Sequence, residues 1–183
     1  MANTLPEITI GDREKIVTRK VVLDVCCGGR MFWFDKDNPD VLYCDKRVVE
    51  KCTVGKGKNA RDFEVKPDIN MDFRNIRFED NSFQMVVFDP PHLAKAGRKS
   101  YMAQKYGTLN PEKWQNDLKT GFQECFRVLK PDGVLIFKWS EVEIKVREIL
   151  DLAPYRPMFG HISGKAQKTH WICFMKIDNM KKV

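Results

Sequence analysis

The chain has 183 residues, 43% of them hydrophobic, and a formal net charge of +7. That length and apolar content suit one domain with a full core, and no stretch approaches the ~20 apolar residues of a membrane span. The N-terminal residues lack a signal-peptide core and the positive charge favours a polyanionic partner, so a soluble, cytoplasmic protein with no membrane association is expected.

Residues 1–20 carry several basic side chains and few large apolar ones, and read as a lead-in to a domain over 21–176. Residues 21–25 form a first strand that runs into Cys26-Cys27-Gly28-Gly29. Glycines there permit positive φ and close approach of a ligand to the backbone, and 30–35 would form a short helix whose N-terminus faces that ligand. Residues 41–43 are a second strand ending near Asp45. A basic stretch over 46–66 reads as a short helix from Val48 followed by a solvated loop, and 69–71 as a third strand closed by Asp72-Phe73.

The continuous apolar run Met85-Val86-Val87-Phe88 suits a strand covered on both faces. It stops at Asp89, and Pro90-Pro91, with fixed φ and no N–H, take the chain out of the sheet in a stiff turn that presents Asp89, free carbonyls and His92. Residues 93–106 follow as a basic loop over the site, with Lys95, Arg98, Lys99 and Tyr101. Asn110-Pro111 would open a helix whose apolar residues, from Trp114 to Leu129, recur at helical spacing. A turn at 130–133 leads to a fifth strand over 134–139. Ser140 and Glu143 read as a capping box for a further helix. Strands at 158–162 and 170–176, joined by a turn with Lys165 and Lys168, close the domain, and 177–183 is a basic tail.

The six cysteines include no C-x-x-C pair, so zinc spacing is absent and no metal site is expected. Cys44, Cys125 and Cys173 lie in apolar runs as core thiols, and the adjacent Cys26 and Cys27 read as reduced. Five strands alternating with helices and then a strand pair imply an α/β fold: a Rossmann-like, doubly wound, seven-stranded sheet, mostly parallel with an antiparallel edge.

The closing strand pair, the glycine turn and Asp89-Pro90-Pro91-His92 together resemble the class I S-adenosylmethionine-dependent methyltransferases, of the type that methylates amino groups of nucleic acids. That type carries Asp, Asn or Ser, then Pro-Pro, then an aromatic residue, where this chain has His92; Cys26 stands at a position where the family's first turn glycine is common. The resemblance, from about residue 21 to 176, implies S-adenosyl-L-methionine as cofactor. It would be held by Asp24, Cys26, Gly28 and Gly29 around its amino-acid end, by Asp45 on the ribose, 21 residues after Asp24, and by Asp72 and Phe73 at the adenine. Asp89 and the Pro90 carbonyl would accept both hydrogens of an exocyclic amine, with His92 stacking on the base. Lys95, Arg98, Lys99, Tyr101, Lys165 and Lys168 would flank the nucleic acid. Adenine in DNA or RNA is the first expectation, with target recognition helped by a partner protein or by these loops. Two alternatives stay open: a methyltransferase of the same fold acting on a small-molecule or protein amine, and a cofactor- or nucleic-acid-binding module without catalysis.

Overall fold

The computed structural model describes residues 20–31, 33–54, 57, 60–97 and 100–182. Residues 1–19 of the expected lead-in, and Arg98 and Lys99, lie outside the described residues. Seven strands form one sheet: β1 (Val22–Asp24), β2 (Val41–Asp45), β5 (Ile69–Asn70), β6 (Phe83–Phe88), β7 (Leu129–Ser140), β8 (Phe159–Ser163) and β9 (Thr169–Met175). Their order is β5-β2-β1-β6-β7-β9-β8, and β3 (Val49–Val54) and β4 (Arg61–Val65) make a separate two-stranded sheet. Pairing is parallel from β5 to β7 and antiparallel where β9 meets β7 and β8. This is the Rossmann-like, seven-stranded α/β sheet with an antiparallel edge that the order of apolar runs implied.

The side-chain period of two divides the core between the sheet faces. Leu23, Leu42, Val86, Phe88, Leu135, Phe137 and Phe174 belong to a large cluster with Leu118, Phe122, Cys125 and Phe126 of α2 (Trp114–Val128). Phe122 meets Phe88 and Phe137 with ring centroids 5.3 and 4.9 Å apart, a geometry that adds to the area buried. Gly121 lets this helix approach, because a Cβ there would stand 2.6 Å from Phe73 and 2.9 Å from Phe88. On the opposite face Val41, Tyr43 and Cys27 form a smaller cluster with Val22 and Trp33. The main packing therefore fixes β1, β6 and β7 from one side and leaves their carboxyl ends free to build a site.

Several local expectations are corrected. Among the described residues no helix follows β1; the chain crosses to β2 in turns, held by Trp33 and by Arg30, which donates to the Lys36 carbonyl at 2.6 Å. The stretch read as a helix and loop after Val48 is the β3–β4 hairpin, whose β-branched Val49 and Thr53 suit a strand and whose Phe63 and Val65 alternate inward. Within 93–106, Ser100 caps a short helix, α1 (Tyr101–Tyr106), by accepting from the Ala103 amide at 3.1 Å. The turn at 130–133 is an irregularity inside β7. Ser140 is the last residue of β7 and starts no helix; α3 (Val146–Leu150) begins later, where Glu148 accepts from the Lys145 amide and Glu141 from the Val146 amide. The expected tail is docked, with the Lys182 amide on the Pro154 carbonyl and Met180 against the core.

Candidate active site

Two cavities open at the carboxyl ends of β1, β2 and β6. The larger, about 470 Å³, is lined by Asp45, Asp72, Phe73, Arg74, Asp89 and Pro91 among others. The smaller, about 260 Å³, is lined by the Cys26-Cys27-Gly28-Gly29 turn, Asp89, Pro90, His92 and Lys138. Cys26, Arg47, Asp89 and Tyr106 line both, so the two spaces meet at these side chains.

The acids do different work. Asp24 is fully buried at the end of β1, where one oxygen accepts from the Cys26 amide at 3.2 Å and the other from the Trp33 indole at 2.8 Å. Burial pushes its carboxyl up to about 7 against those two donors. Asp24 thus shapes the turn and exposes nothing to a ligand. Asp45 accepts from the Gly28 amide at 2.9 Å through Oδ2, and through Oδ1 from the Arg47 amide at 2.8 Å and its Nε at 3.3 Å. A carboxylate has about four acceptor sites, so roughly one remains for a hydroxyl while Arg47 stays in place. Gly28, at φ 48°, takes the left-handed conformation this turn needs.

Asp72 is committed elsewhere. Both of its oxygens take donors from Arg74, at 2.6–3.0 Å, and Lys46 lies 3.1 Å away. Burial alone would raise the carboxyl, but these cations hold it well below the usual range. The acid expected to accept from an adenine amine thus already carries these donors, and Arg74 also reaches Asp117 of α2 at 3.0 Å, making Asp72 part of a brace at the cavity wall. Phe73 is buried against Phe88, with centroids 5.2 Å apart, while its edge still lines the larger cavity.

Asp89 stands one residue beyond β6. Its Oδ2 is 2.6 Å from Lys138 Nζ of β7, and Oδ1 accepts no hydrogen bond among the described residues. Burial raises its carboxyl while Lys138 and His92 oppose the shift. The His92 ring lies 6.0 Å from Tyr106 and 6.3 Å from Trp139, and burial lowers its basicity, so near neutral pH it is an uncharged aromatic. Glu143 accepts from the Ala94 and Lys95 amides at 2.7 and 2.8 Å, which fixes the exit of the Pro90-Pro91 turn.

The flanking residues are more scattered than expected. Lys95 is exposed beside this exit, and Lys165 and Lys168 are exposed on the β8–β9 turn, lining neither cavity. Tyr101 packs with Phe63, Val65 and Val49 of the hairpin, so its ring serves packing; Tyr106 is the aromatic that reaches both cavities. Arg47 and Lys138 line the cavities without having been expected there, while Lys105 and Tyr106 end the 93–106 stretch that was expected to lie over the site. Lys138 had a signal, a lone charge inside an apolar strand. Arg47 had none, because only the fold brings it to this loop, where it donates to the Lys105 carbonyl at 3.2 Å.

No protein-family model and no curated protein matches the chain. Solved structures do match it. The PH0226 protein of Pyrococcus horikoshii OT3 superposes with a TM-score of 0.53 at 16% identity, covering 93% of each chain. The aminoglycoside resistance methyltransferase NpmB1 gives 0.52 at 11% identity, over 95% of this chain and 96% of its own. The 1,6-didemethyltoxoflavin-N1-methyltransferase of Burkholderia thailandensis, solved with S-adenosylhomocysteine, gives 0.50 at 12% identity, over 90% of this chain and 75% of its own. The fold is that of the Rossmann-like methyltransferases.

Proposed function

We propose that the protein is an S-adenosylmethionine-dependent methyltransferase acting on an exocyclic base amine of DNA or RNA, adenine first. The observation that carries this reading is the position of Asp89 on the wall shared by the two cavities. One cavity is lined by Asp45, an acceptor suited to a ribose hydroxyl, and the other by Asp89, Pro90 and His92.

The residues fit the cofactor across the junction of the two cavities. In the larger, Asp45 offers an acceptor to a ribose hydroxyl and Phe73 an apolar surface to the adenine; the Gly28-Gly29 turn, which lines the smaller, gives backbone to the amino-acid end. When bound, the cofactor supplies a methyl group on a positively charged sulfur. Arg47 lines both cavities and holds Asp45, so full use of that acid by a diol requires Arg47 to shift.

The chain's task is to make a weak nucleophile react. An aryl amine delocalises its lone pair into the ring. Asp89 Oδ1 and the Pro90 carbonyl would accept its two hydrogens and localise the pair toward the methyl. The nitrogen so held would be placed to take the methyl that a bound cofactor supplies, the S–C electron pair staying on sulfur, and one amine proton would then leave to solvent. Positioning and aimed acceptors supply the acceleration. His92, uncharged and partly buried, is suited to stack on an unpaired or flipped base. The test is mass spectrometry of nucleosides from DNA and RNA incubated with the protein and isotopically labelled S-adenosylmethionine. A labelled methyladenosine is the expected product, and label in neither nucleic acid would defeat the reading.

A further inference from the structure

Phe88 and Phe137 pair in register, so the next residues, Asp89 and Lys138, stand side by side on one face at the mouth of the site. Their side chains are only 18% and 26% exposed, and the ammonium lies 2.6 Å from the carboxylate. Partly buried ion pairs seldom stabilise a fold more than apolar residues of the same size. Stability alone therefore gives little reason for a lysine here. The Lys138 ammonium also lies 5.7 Å from the Trp171 ring centre, which fixes it from the β9 side.

The charge around this pair has a definite sign. Arg47, Lys105 and Lys138 line the smaller cavity, and Asp89 is its one acidic lining residue among the described residues. His92 adds no charge near neutral pH, and Asp24, behind the wall, is fully buried. A protonated alkylamine entering here meets a carboxylate already neutralised by Lys138, with Lys105 on the same lining and Arg47 paired to Asp45. An uncharged amine needs only acceptors, and Oδ1 and the Pro90 carbonyl are acceptors.

We infer that Lys138 makes this pocket select an uncharged amine over an ammonium ion, by neutralising Asp89 while leaving Oδ1 to receive an N–H. The inference rests on the base-amine reading and sharpens it: aryl amines of nucleobases qualify, and lysine side chains or polyamines do not. Lys138 acts through Asp89 and is a positioning residue.

Ligand-observed NMR on the full chain tests it with two small probes, aminopyrimidine, uncharged near neutral pH, and propylammonium. Site binding is taken as the signal that Asp89→Ala removes. Wild type should bind aminopyrimidine and give no site signal with propylammonium. Lys138→Met, checked by its melting curve, should shift the preference toward the ammonium by roughly tenfold, and Lys138→Arg should restore the wild-type order. Wild type holding propylammonium as well as aminopyrimidine would overturn the inference without any variant. So would a folded Lys138→Met with the wild-type preference. If aminopyrimidine wins but no nucleic acid is methylated, the selection stands and the nucleic-acid reading falls; if nucleic acid is methylated but Lys138→Met keeps the wild-type order, the reverse holds.

Discussion

Asp45 Oδ2 accepts the Gly28 amide at 2.9 Å, so the acid that ends β2 also holds closed the turn that follows β1. Removing it should therefore harm the cofactor site twice, through the lost acceptor and through a looser turn. Asp45→Ala is expected to weaken S-adenosylmethionine binding by about 1.5–3 kcal/mol, the worth of hydrogen bonds to a charged group. Titration calorimetry would show it. Unchanged affinity would remove Asp45 from the site.

Asp24 should make stability depend on pH with an unusual sign. Its folded carboxyl sits at about 7 against an ordinary 3.8, so the folded state binds a proton that the unfolded state has released. The contribution is full below the unfolded value and is lost as pH rises through the folded one. Relative to Asp24→Asn, wild type should thus lose a few kcal/mol between about pH 4 and pH 8. Urea unfolding at both ends of that range measures the difference; a constant difference would show that Asp24 is not held protonated.

Gly121→Ala opposes two rules. Alanine favours a helix over glycine by about 1 kcal/mol. Here its Cβ would lie 2.6 Å from Phe73 and 2.9 Å from Phe88, both buried rings. Overpacking of that kind costs about 1–3 kcal/mol, so crowding should win and the melting temperature should fall. A rise would mean that the rings repack freely.

Much of this fold was legible because buried parallel strands are written as unbroken apolar runs. Met85–Phe88 and Val134–Phe137 show this within β6 and β7, and the apolar runs around Cys44, Cys125 and Cys173 likewise matched their burial. The β3–β4 hairpin was not legible, since only Phe63 and Val65 alternate inward within a lysine-rich stretch that looks like a solvated loop. Ser140 and Glu143 have capping-box spacing, yet tertiary context assigns Glu143 to the Ala94 and Lys95 amides. The Asp89-Pro90-Pro91-His92 turn announced itself through its prolines. Its partner Lys138 lies 49 residues away, and only sheet register brings the two together.

If the substrate is a nucleic acid, binding should weaken steeply with salt, because each phosphate contact releases counterions. Replacing Lys95, Arg98 and Lys99 together by Ala should flatten the slope of log affinity against log salt. Filter binding or fluorescence anisotropy over a salt series measures it. A slope untouched by the triple change would move the phosphate contacts elsewhere, and no slope at all would favour a small-molecule substrate.

The measurement that bears most directly on the central claim is the methyl-transfer rate of Asp89 variants beside their S-adenosylmethionine affinity. Asp89→Ala leaves the Pro90 carbonyl as the sole acceptor, and transfer should slow by about a hundredfold or more, as for the loss of one preorganised polar contact. Asp89→Asn keeps one acceptor and should fall between. Cofactor affinity should stay similar in all three, because Asp89 serves the target amine. Equal transfer rates for wild type and Asp89→Ala on the nucleic-acid substrate would contradict the account, even with the cofactor bound as described.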